Sequence, residues 1–428
     1  MLSRKLNTQS QLTEVFEKYE SNVRYYCKSF PVVFDRAKSS TLYSELNREF
    51  IDFFSGAGTL NYGHNNPLMK KEISEYLTRD GISHGLDMYS SAKKTFLSKF
   101  SSIILEAKGL DYKVQFSGPT GTNAIEAALK LARNVKAREG VFSFMGGFHG
   151  ASLGSLSVTG NRKFRAAAGL PLTNVTFIPY EDSPQGSFDS ITYTDKILKD
   201  TSSGIELPAA IILETVQAEG GVYVTSVEWL QRLRALCDEH DILLICDDIQ
   251  VGCGRTGSFF SFERANIVPD IVTLSKSISG YGLPMSIVLM KRELDIWKPG
   301  EHNGTFRGNQ LAFVSASAAL NYWKDKHLEN TVREKESFMG SFLQSEIAER
   351  FKGIAIRGIG MIWGIDMLRT GRSDLANKVA KLCFDRGLVI ETCGREDSVL
   401  KLLPALTIDM ELLNKGCDII REAILELS

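Results

Sequence analysis

The sequence has few cysteines, and none of them lies in a C-x-x-C motif. An odd and dispersed set argues against a disulfide framework and against a zinc site. We therefore expect free thiols and no bound metal. The seven cysteines are Cys27, Cys237, Cys246, Cys253, Cys383, Cys393 and Cys417.

Long apolar runs and an excess of one charge are also lacking. No apolar run approaches the roughly 18 residues that span a bilayer, and the first residues lack the apolar core of a secretory signal. Lys plus Arg is 50 and Asp plus Glu is 51, for a net charge of -1. This balance does not point to nucleic acid or to an anionic membrane. We expect a cytoplasmic protein that acts on small molecules.

The chain does have ample apolar material, arranged in alternating segments. Hydrophobic residues make up 43% of its 428 residues, enough for more than one core. Strand-like apolar runs alternate with helical patterns, which predicts an α/β fold with a mainly parallel sheet. Thr225 and Glu228 have capping-box spacing and predict the start of a helix that reaches Glu239. The predicted strands are Ala209–Val216, Ile242–Cys246, Ile271–Leu274 and Ser286–Met290.

The pattern changes after about Gln310. A long helical pattern runs from Leu311 towards Phe351, followed by short apolar runs mixed with helices. We predict a large domain over residues 61–310 and a smaller α+β domain over residues 311–428. Residues 1–60 are expected to pack with the smaller domain and to include short strands at Phe30–Phe34 and Phe50–Phe54.

A glycine turn followed by an amphipathic helix stands between Ser117 and Arg138. Backbone N–H groups in the first turn of a helix lack helical partners and attract anions. Gly121 and Thr122 are therefore candidates to bind a phosphate. An ordinary turn before a surface helix remains the alternative. One face of the helix is apolar: Ile125, Ala128, Leu129 and Ala132.

Two predicted strands end in residues with useful chemistry. Asp247 and Asp248 close one strand, at the edge where parallel sheets bind ligands. A carboxylate there can pair with a protonated ring nitrogen, or it can cap a turn. Lys276 follows another strand and precedes a glycine-rich turn. A partly buried lysine is a nucleophile suited to a Schiff base, and a solvated lysine is the alternative.

Two glycine-rich segments need separate interpretation. In GGFHG, Phe148 can stack on a planar ring, while His149 can be either functional or a structural hydrogen-bonding residue. Gly252, Gly254 and Gly257 fit the pattern G-x-G-x-x-G. They neither follow a strand directly nor open a helix, so we reject a dinucleotide site.

An ordered set of segments extends these observations: GTNAIEAALKLAR, FHG, ETVQAEGG, CDDIQVGCGRTG, LSKSISGYGLP and HNGTFRGN. With this set the chain resembles the class III, or ω-type, aminotransferases that depend on pyridoxal 5'-phosphate (PLP). The resemblance runs from about Phe50 to the C-terminus. It implies the type I fold of PLP-dependent transferases, with a mainly parallel seven-stranded sheet in the large domain and a smaller α+β domain.

The resemblance also implies roles at the cofactor. Lys276 would hold PLP as a Schiff base and move a proton, and Asp247 would pair with the pyridine nitrogen. Gln250 would reach the 3'-oxygen. Phe148 would stack on the ring, with His149 in the same pocket.

Further implied roles concern the phosphate and the substrate. Gly121 and Thr122 would bind the phosphate, and Thr305 would reach the phosphate of a neighbouring subunit. A homodimer, or a dimer of dimers, is therefore expected. Glu214 and Glu219 would lie near the ring and the substrate.

Two positions depart from the family pattern. Asp248 stands where the family usually has a glutamate, and Asp247, the first acid of the pair, keeps the role at the pyridine nitrogen. Lys401 stands where relatives commonly have an arginine before an apolar-Pro run, and that arginine pairs with an acid like Glu219. Lysine keeps the charge but loses the planar fork of arginine. We expect Glu219 and Lys401 to form a switchable pair that lets one pocket accept two substrates.

Further segments, among them FFSGAGTLNYGHNNP and ELDIWKPGEHNGTFRGN, resemble one branch of this family. That likeness implies transfer of the amino group of L-glutamate to L-aspartate 4-semialdehyde, with the product used for ectoine. Siderophore or peptide antibiotic synthesis, and an ornithine- or 4-aminobutyrate-like activity, remain alternatives. So do an aminomutase or decarboxylase, and a non-enzymatic protein of this fold, although intact Lys276 and Asp247 argue against the last.

Overall fold

The computed structural model describes residues 9–427, which form 17 strands and 14 α-helices. The strands are β1 (Phe34–Lys38), β2 (Thr41–Ser44), β3 (Glu49–Asp52), β4 (Tyr112–Phe116), β5 (Val141–Phe144), β6 (Val175–Ile178), β7 (Ala210–Leu213), β8 (Val216–Gln217), β9 (Tyr223–Val224), β10 (Leu243–Asp247), β11 (Ile271–Leu274), β12 (Ile287–Lys291), β13 (Ala355–Ile359), β14 (Ile362–Asp366), β15 (Leu388–Val389), β16 (Glu391–Cys393) and β17 (Val399–Leu402).

The α-helices fall between these strands and at both ends of the described chain. They are α1 (Gln9–Tyr19), α2 (Tyr26–Ser29), α3 (Ser55–Gly58), α4 (Pro67–Thr78), α5 (Ser91–Phe100), α6 (Gly121–Lys136), α7 (Leu153–Ser157), α8 (Arg162–Ala166), α9 (Ser190–Lys199), α10 (Val227–Glu239), α11 (Gln310–Ala319), α12 (His327–Leu343), α13 (Leu375–Asp385) and α14 (Met410–Leu427). No helix within residues 9–427 is both long and apolar enough to cross a membrane.

A seven-stranded sheet forms the centre of the molecule, in the order β4-β12-β11-β10-β7-β5-β6. Strand β12 is antiparallel to both of its neighbours, and the other pairs are parallel. Every residue of β5, β7, β10 and β11 is buried, as expected for a parallel sheet covered by helices on both faces. The α/β prediction with a mainly parallel seven-stranded sheet is confirmed.

Helix α6 covers one face of this sheet with its apolar side. Ile125, Ala128, Leu129 and Ala132 are all buried and belong to the same core cluster as the sheet residue Ile212. Burial of a leucine or isoleucine side chain stabilises the fold by about 1.5–3 kcal/mol. This packing fixes the N-terminus of α6 at the carboxyl edge of the sheet.

Two four-stranded sheets lie outside the central one. The first has the order β1-β2-β3-β15, with β15 parallel to β3, so the N-terminal strands pair with a strand from the C-terminal third of the chain. The second has the order β13-β14-β17-β16 and is antiparallel throughout. Its strands β16 and β17 carry two residues that matter for the site, Glu391 and Lys401.

Three local predictions were wrong. Phe30–Phe34 is not a strand, because α2 ends at Ser29 and β1 begins at Phe34. Phe30 instead packs its ring against Phe54 and Phe384. Its apolar character therefore reflects tertiary packing rather than strand pairing.

The other two errors concern helix ends. Helix α10 is capped by Ser226, whose Oγ accepts from Trp229 N at 3.0 Å, whereas Thr225 Oγ1 donates to Thr215 O. The long helix predicted after Leu311 is interrupted between α11 and α12. The Asp325 carboxylate accepts from His327 N at 2.9 Å, and such a local acceptor favours a new helix start.

Candidate active site

One cavity of about 190 Å³ collects most of the predicted site residues. It lies where the carboxyl ends of β5, β7, β10 and β11 meet the N-terminus of α6, the usual ligand edge of such a sheet. The residues that line it are Gly121, Thr122, Phe148, His149, Gly150, Glu214, Glu219, Asp247, Ile249, Gln250 and Lys276.

The first turn of α6 and the loop after β5 form one end of this cavity. Thr122 Oγ1 lies 2.7 Å from Ser152 Oγ and also contacts Ser155 Oγ. Gly150 has φ +130, and a Cβ there would lie 2.5 Å from Thr122 Oγ1. Only glycine fits this position, and the result is a hydroxyl-lined helix N-terminus suited to an anion.

Asp247 is held at the end of β10 with a defined orientation. Its Oδ2 lies 2.7 Å from His149 Nδ1, and its Oδ1 accepts from Ile249 N at 3.1 Å. Burial opposes protonation of His149, but the hydrogen bond and charge of Asp247 outweigh it and raise the His149 pKa. His149 thus serves to position the Asp247 carboxylate.

Asp248 faces away from the cavity. Its Oδ2 accepts from Ser261 N at 2.9 Å, and its Oδ1 accepts from Ser261 Oγ. Burial raises the pKa of Asp248 to about 7, against the opposing effect of these hydrogen bonds. Alternation along the strand therefore assigns the cavity to Asp247 and a structural contact to Asp248.

Lys276 lies two residues beyond β11, in a backbone conformation with φ +50. The neighbouring Ser275 Oγ donates to Met285 O at 2.9 Å, and Ser277 Oγ donates to Gly58 O at 2.8 Å. A positive φ costs free energy in a residue with a side chain, and these two hydrogen bonds hold the turn in that conformation. Burial lowers the pKa of Lys276, which increases the fraction of neutral amine.

Phe148 and Glu214 lie next to each other in the wall of the cavity. Phe148 N donates to Glu214 Oε1 at 2.8 Å, and the Phe148 ring packs edge-on against Phe164. Burial raises the pKa of Glu214 to about 7. The backbone contact holds the Phe148 loop over the cavity.

A buried charged cluster borders the cavity. The Lys401 ammonium, fully buried, contacts the Glu219 carboxylate and lies 3.1 Å from Glu391 Oε1 and 3.2 Å from Gln250 Oε1. Gln250 Nε2 in turn donates to Glu219 Oε1 at 3.1 Å. Lys401 therefore points inward, and the pair with Glu219 is present.

Thr305 differs from the other predicted residues. It lies in the exposed loop between β12 and α11 and is not among the described residues that line the cavity.

Sequence reasoning missed Glu391. A signal existed, since this acid closes the apolar run Leu388–Glu391 as Asp247 closes its own strand. The sequence does not give the antiparallel register of β16 and β17, which places Glu391 directly opposite Lys401. Ser152 and Ser155, beside Thr122, were missed for the same kind of reason, because they arrive from a separate loop.

Known proteins are similar to this chain over nearly its whole length. Residues 24–424 match the family model described as aminotransferase class-III. Diaminobutyrate–2-oxoglutarate transaminase of Bordetella parapertussis is 56% identical over 96% of this chain and 94% of its own length. The enzyme with the same name from Halalkalibacterium halodurans is 53% identical over 96% of each chain.

Solved structures show the same fold. The ornithine aminotransferase from Toxoplasma gondii, whose active site holds PLP at partial occupancy, is 26% identical over 99% of this chain and 95% of its own, with a TM-score of 0.86. Acetylornithine aminotransferase from Elizabethkingia anophelis is 26% identical over 98% of this chain and 100% of its own, with a TM-score of 0.80.

The residues of the cavity fit PLP, the cofactor of this family. A helix N-terminus with hydroxyls suits its phosphate, a buried carboxylate held by His149 suits a protonated ring nitrogen, and a buried lysine amine suits a Schiff base. All three features line the same cavity. The chain therefore belongs to the class III aminotransferases and is a PLP-dependent transaminase.

Proposed function

We propose that this enzyme transfers the amino group of L-glutamate to L-aspartate 4-semialdehyde, giving L-2,4-diaminobutyrate and 2-oxoglutarate. The observation that carries the proposal is the pair of buried Lys401 with Glu219, which lies beside Lys276. Relatives named diaminobutyrate–2-oxoglutarate transaminase, 52–56% identical over nearly their full length, carry both proposed products in their name, which supports the proposal.

The pair suits an enzyme that must accept two substrates in one pocket. Glutamate brings a distal carboxylate, which needs a cation at the far end of the site. The semialdehyde presents an uncharged aldehyde to the same region, so an exposed cation there would be left unpaired, at a cost. Glu219 can neutralise Lys401 for the semialdehyde and move away for glutamate.

The side chains around the cofactor have assigned tasks in this proposal. PLP, when bound, withdraws electrons from the substrate Cα. Lys276 would bind it covalently and move the proton at Cα, and Asp247 would hold the proton of its ring nitrogen. Gln250 would contact the 3'-oxygen, and Phe148 the ring face.

The phosphate would be shared between two subunits. Gly121 and Thr122 would bind it from one chain and Thr305 from the other, in a homodimer or a dimer of such dimers. Support comes from the position of Thr305 in an exposed loop outside its own cavity. A two-fold dimer makes such contacts in pairs.

A comparison of amino donors tests the substrate proposal. The holoenzyme is supplied with 2-oxoglutarate and, in turn, with L-2,4-diaminobutyrate, L-ornithine and 4-aminobutyrate, and glutamate formation is measured. We expect kcat/KM to be highest for diaminobutyrate, by at least about tenfold, the value of one well-placed contact. Equal or higher values for ornithine or 4-aminobutyrate would replace this substrate with another of the same family.

We further propose that the product serves ectoine synthesis in the cytoplasm. Loss of the gene should then abolish ectoine accumulation under salt stress, and added diaminobutyrate should restore it. Intact ectoine with loss of a siderophore or a peptide antibiotic would assign the product to those pathways instead.

A further inference from the structure

The Lys401 ammonium faces two carboxylates, and the proposed exchange of substrates uses only one of them. Glu219 and Glu391 both approach the same nitrogen. Among the described residues, Glu391 Oε1 has no well-aligned hydrogen-bond donor, so the ammonium at 3.1 Å is its stabilising neighbour. Burial of the Glu391 carboxylate, as a second acid beside Lys401, costs desolvation free energy. This cost calls for a functional explanation.

The two carboxylates differ in how firmly they are held. Glu391 and Lys401 are directly opposite each other on β16 and β17, in a continuous antiparallel ladder. Glu219 instead lies in the short turn between β8 and β9, followed by Gly220 and Gly221. The Glu219 side chain is 28% exposed, against 8% for Glu391. Glu391 is therefore the fixed partner, and Glu219 is the one exposed to the cavity.

We propose that Glu391 is a positioning residue that keeps Lys401 at the cavity when the distal carboxylate of glutamate displaces Glu219. Lys401 stays paired with Glu391, and the substrate carboxylate takes the place of Glu219. A lysine has a long and flexible stem, and without Glu391 it could follow Glu219 out of the cavity. This inference rests on the proposed use of glutamate at this site.

The protonation state of Glu391 affects the charge that the substrate meets. Burial raises the pKa of Glu391 to about 7, against the opposing charge of Lys401. When Glu391 is protonated, Lys401 has a full charge to offer the substrate carboxylate. When Glu391 is ionised, it already neutralises Lys401, and the substrate carboxylate is repelled. Binding of a dicarboxylate should therefore weaken as the pH rises through this range.

Other groups around Glu391 do not titrate in the same way. Burial raises the pKa of Tyr25, Tyr26 and Cys393, which keeps these three neutral near pH 7. The pKa of Glu219 is lowered and that of Lys401 is raised by their mutual attraction, against the effect of burial. The titratable and charged groups that face Glu391 are Lys401, Glu219, Lys276, Tyr25, Tyr26 and Cys393.

Binding of glutarate to the holoenzyme tests this inference without chemistry, because glutarate has two carboxylates and no amine. At a pH below the titration of Glu391, we expect Glu391→Ala to raise the dissociation constant of glutarate about tenfold, the loss of one contact to a charged group. The KM for glutamate should rise to a similar extent. The KM for aspartate 4-semialdehyde should stay within about twofold, because Glu219 still pairs with Lys401 in that half of the reaction.

Glu391→Gln keeps an oxygen near Lys401 but cannot ionise. Its glutarate affinity should equal that of the wild type at low pH and exceed it at high pH, with the ratio rising towards about tenfold per pH unit above the titration of Glu391. Asp366→Asn is the matched control, because Asp366 lies in the same sheet and pairs with Arg357 instead. The control should follow the wild-type profile.

Three results would overturn the inference. One is a Glu391→Ala enzyme that binds glutarate as the wild type does, and another is an equal loss for both substrates. The third is a Glu391→Gln profile parallel to that of the wild type, which decides the matter even if the alanine variant fails to fold. Failure of the proposed function would be seen differently, as a wild-type enzyme that does not exchange diaminobutyrate with 2-oxoglutarate.

Discussion

At the scale of single residues, the proposed chemistry depends first on Lys276. Its amine is buried and its pKa is lowered by that burial, which makes it a competent nucleophile. We predict that Lys276→Ala lowers kcat by on the order of a thousandfold or more, as expected when a group that moves a proton is lost. Borohydride reduction followed by peptide mass analysis should find the cofactor on the Lys276 peptide of the wild type.

The same variant provides its own control for folding. Lys276→Ala should still retain PLP without a covalent bond, because the phosphate and ring contacts remain. Near-normal turnover, or cofactor fixed to a different lysine, would refute the assignment.

Asp247 and Asp248 form a second test at residue scale, since they are adjacent in sequence but face opposite sides of β10. Asp247→Asn should lower kcat about 100- to 1000-fold, the effect of losing one buried electrostatic partner of the reacting group. Its PLP affinity should change less. Steady-state kinetics and equilibrium dialysis separate the two effects.

Asp248→Asn should behave differently. Its amide NH2 would face the donors of Ser261, so we expect about 1–3 kcal/mol of lost stability and a nearly normal kcat. Unfolding in urea measures this loss. A greater loss of kcat in Asp248→Asn than in Asp247→Asn would reverse the two roles.

At the scale of elements, the phosphate end of the site depends on how the loop after β5 meets α6. Gly150 has a positive φ, and a Cβ added at this residue would lie 2.5 Å from Thr122 Oγ1. Gly150→Ala should strain a backbone conformation that favours glycine and displace Thr122. We predict weaker PLP retention, seen as faster cofactor loss on dialysis, with the far end of the pocket unaffected.

A matched control exists at another glycine. Gly169 also has a positive φ, but a Cβ there would meet nothing within 4 Å. Gly169→Ala should therefore also strain the backbone but leave Thr122 in place, with normal PLP retention. Equal cofactor loss in both variants would mean that general destabilisation, and not Thr122, explains the effect.

Helices and strands could be predicted from the sequence where the pattern of apolar residues alone determined them. The strands around Asp247 and Lys276 are buried apolar runs bounded by turns, and α6 has a clear apolar face, so periodicity was sufficient. Phe30 was mistaken for a strand residue because its burial comes from Phe384, far away in sequence. Glu391 was missed because strand register is a tertiary property. A local signal such as the acid at the end of an apolar run marks a candidate residue, but it does not show which distant residue will lie opposite.

At the scale of the whole molecule, the proposed dimer has a decisive test through mixed subunits. Thr305→Ala should weaken PLP binding about tenfold, as expected for one hydrogen bond to a charged phosphate. If Thr305 serves the neighbouring subunit, a hybrid of Lys276→Ala and Thr305→Ala chains contains one complete site, with Lys276 from one chain and Thr305 from the other.

The hybrid should therefore bind PLP covalently at one site with wild-type affinity. The Thr305→Ala homodimer is the reference for the weakened site. A hybrid whose covalent site binds PLP as weakly as this reference would place Thr305 at the cofactor of its own chain, and a fully active monomer would remove the need for a partner.

In the proposed reaction, this transaminase moves nitrogen from glutamate to carbon 4 of aspartate 4-semialdehyde. Incubation with 15N-labelled L-glutamate and unlabelled semialdehyde, followed by NMR of the product, tests it directly. We predict 2,4-diaminobutyrate that carries 15N at the 4-amino group and none at the 2-amino group, and no product with Lys276→Ala. Label at the 2-amino group, or no diaminobutyrate from an enzyme that still consumes glutamate, would refute the proposed reaction.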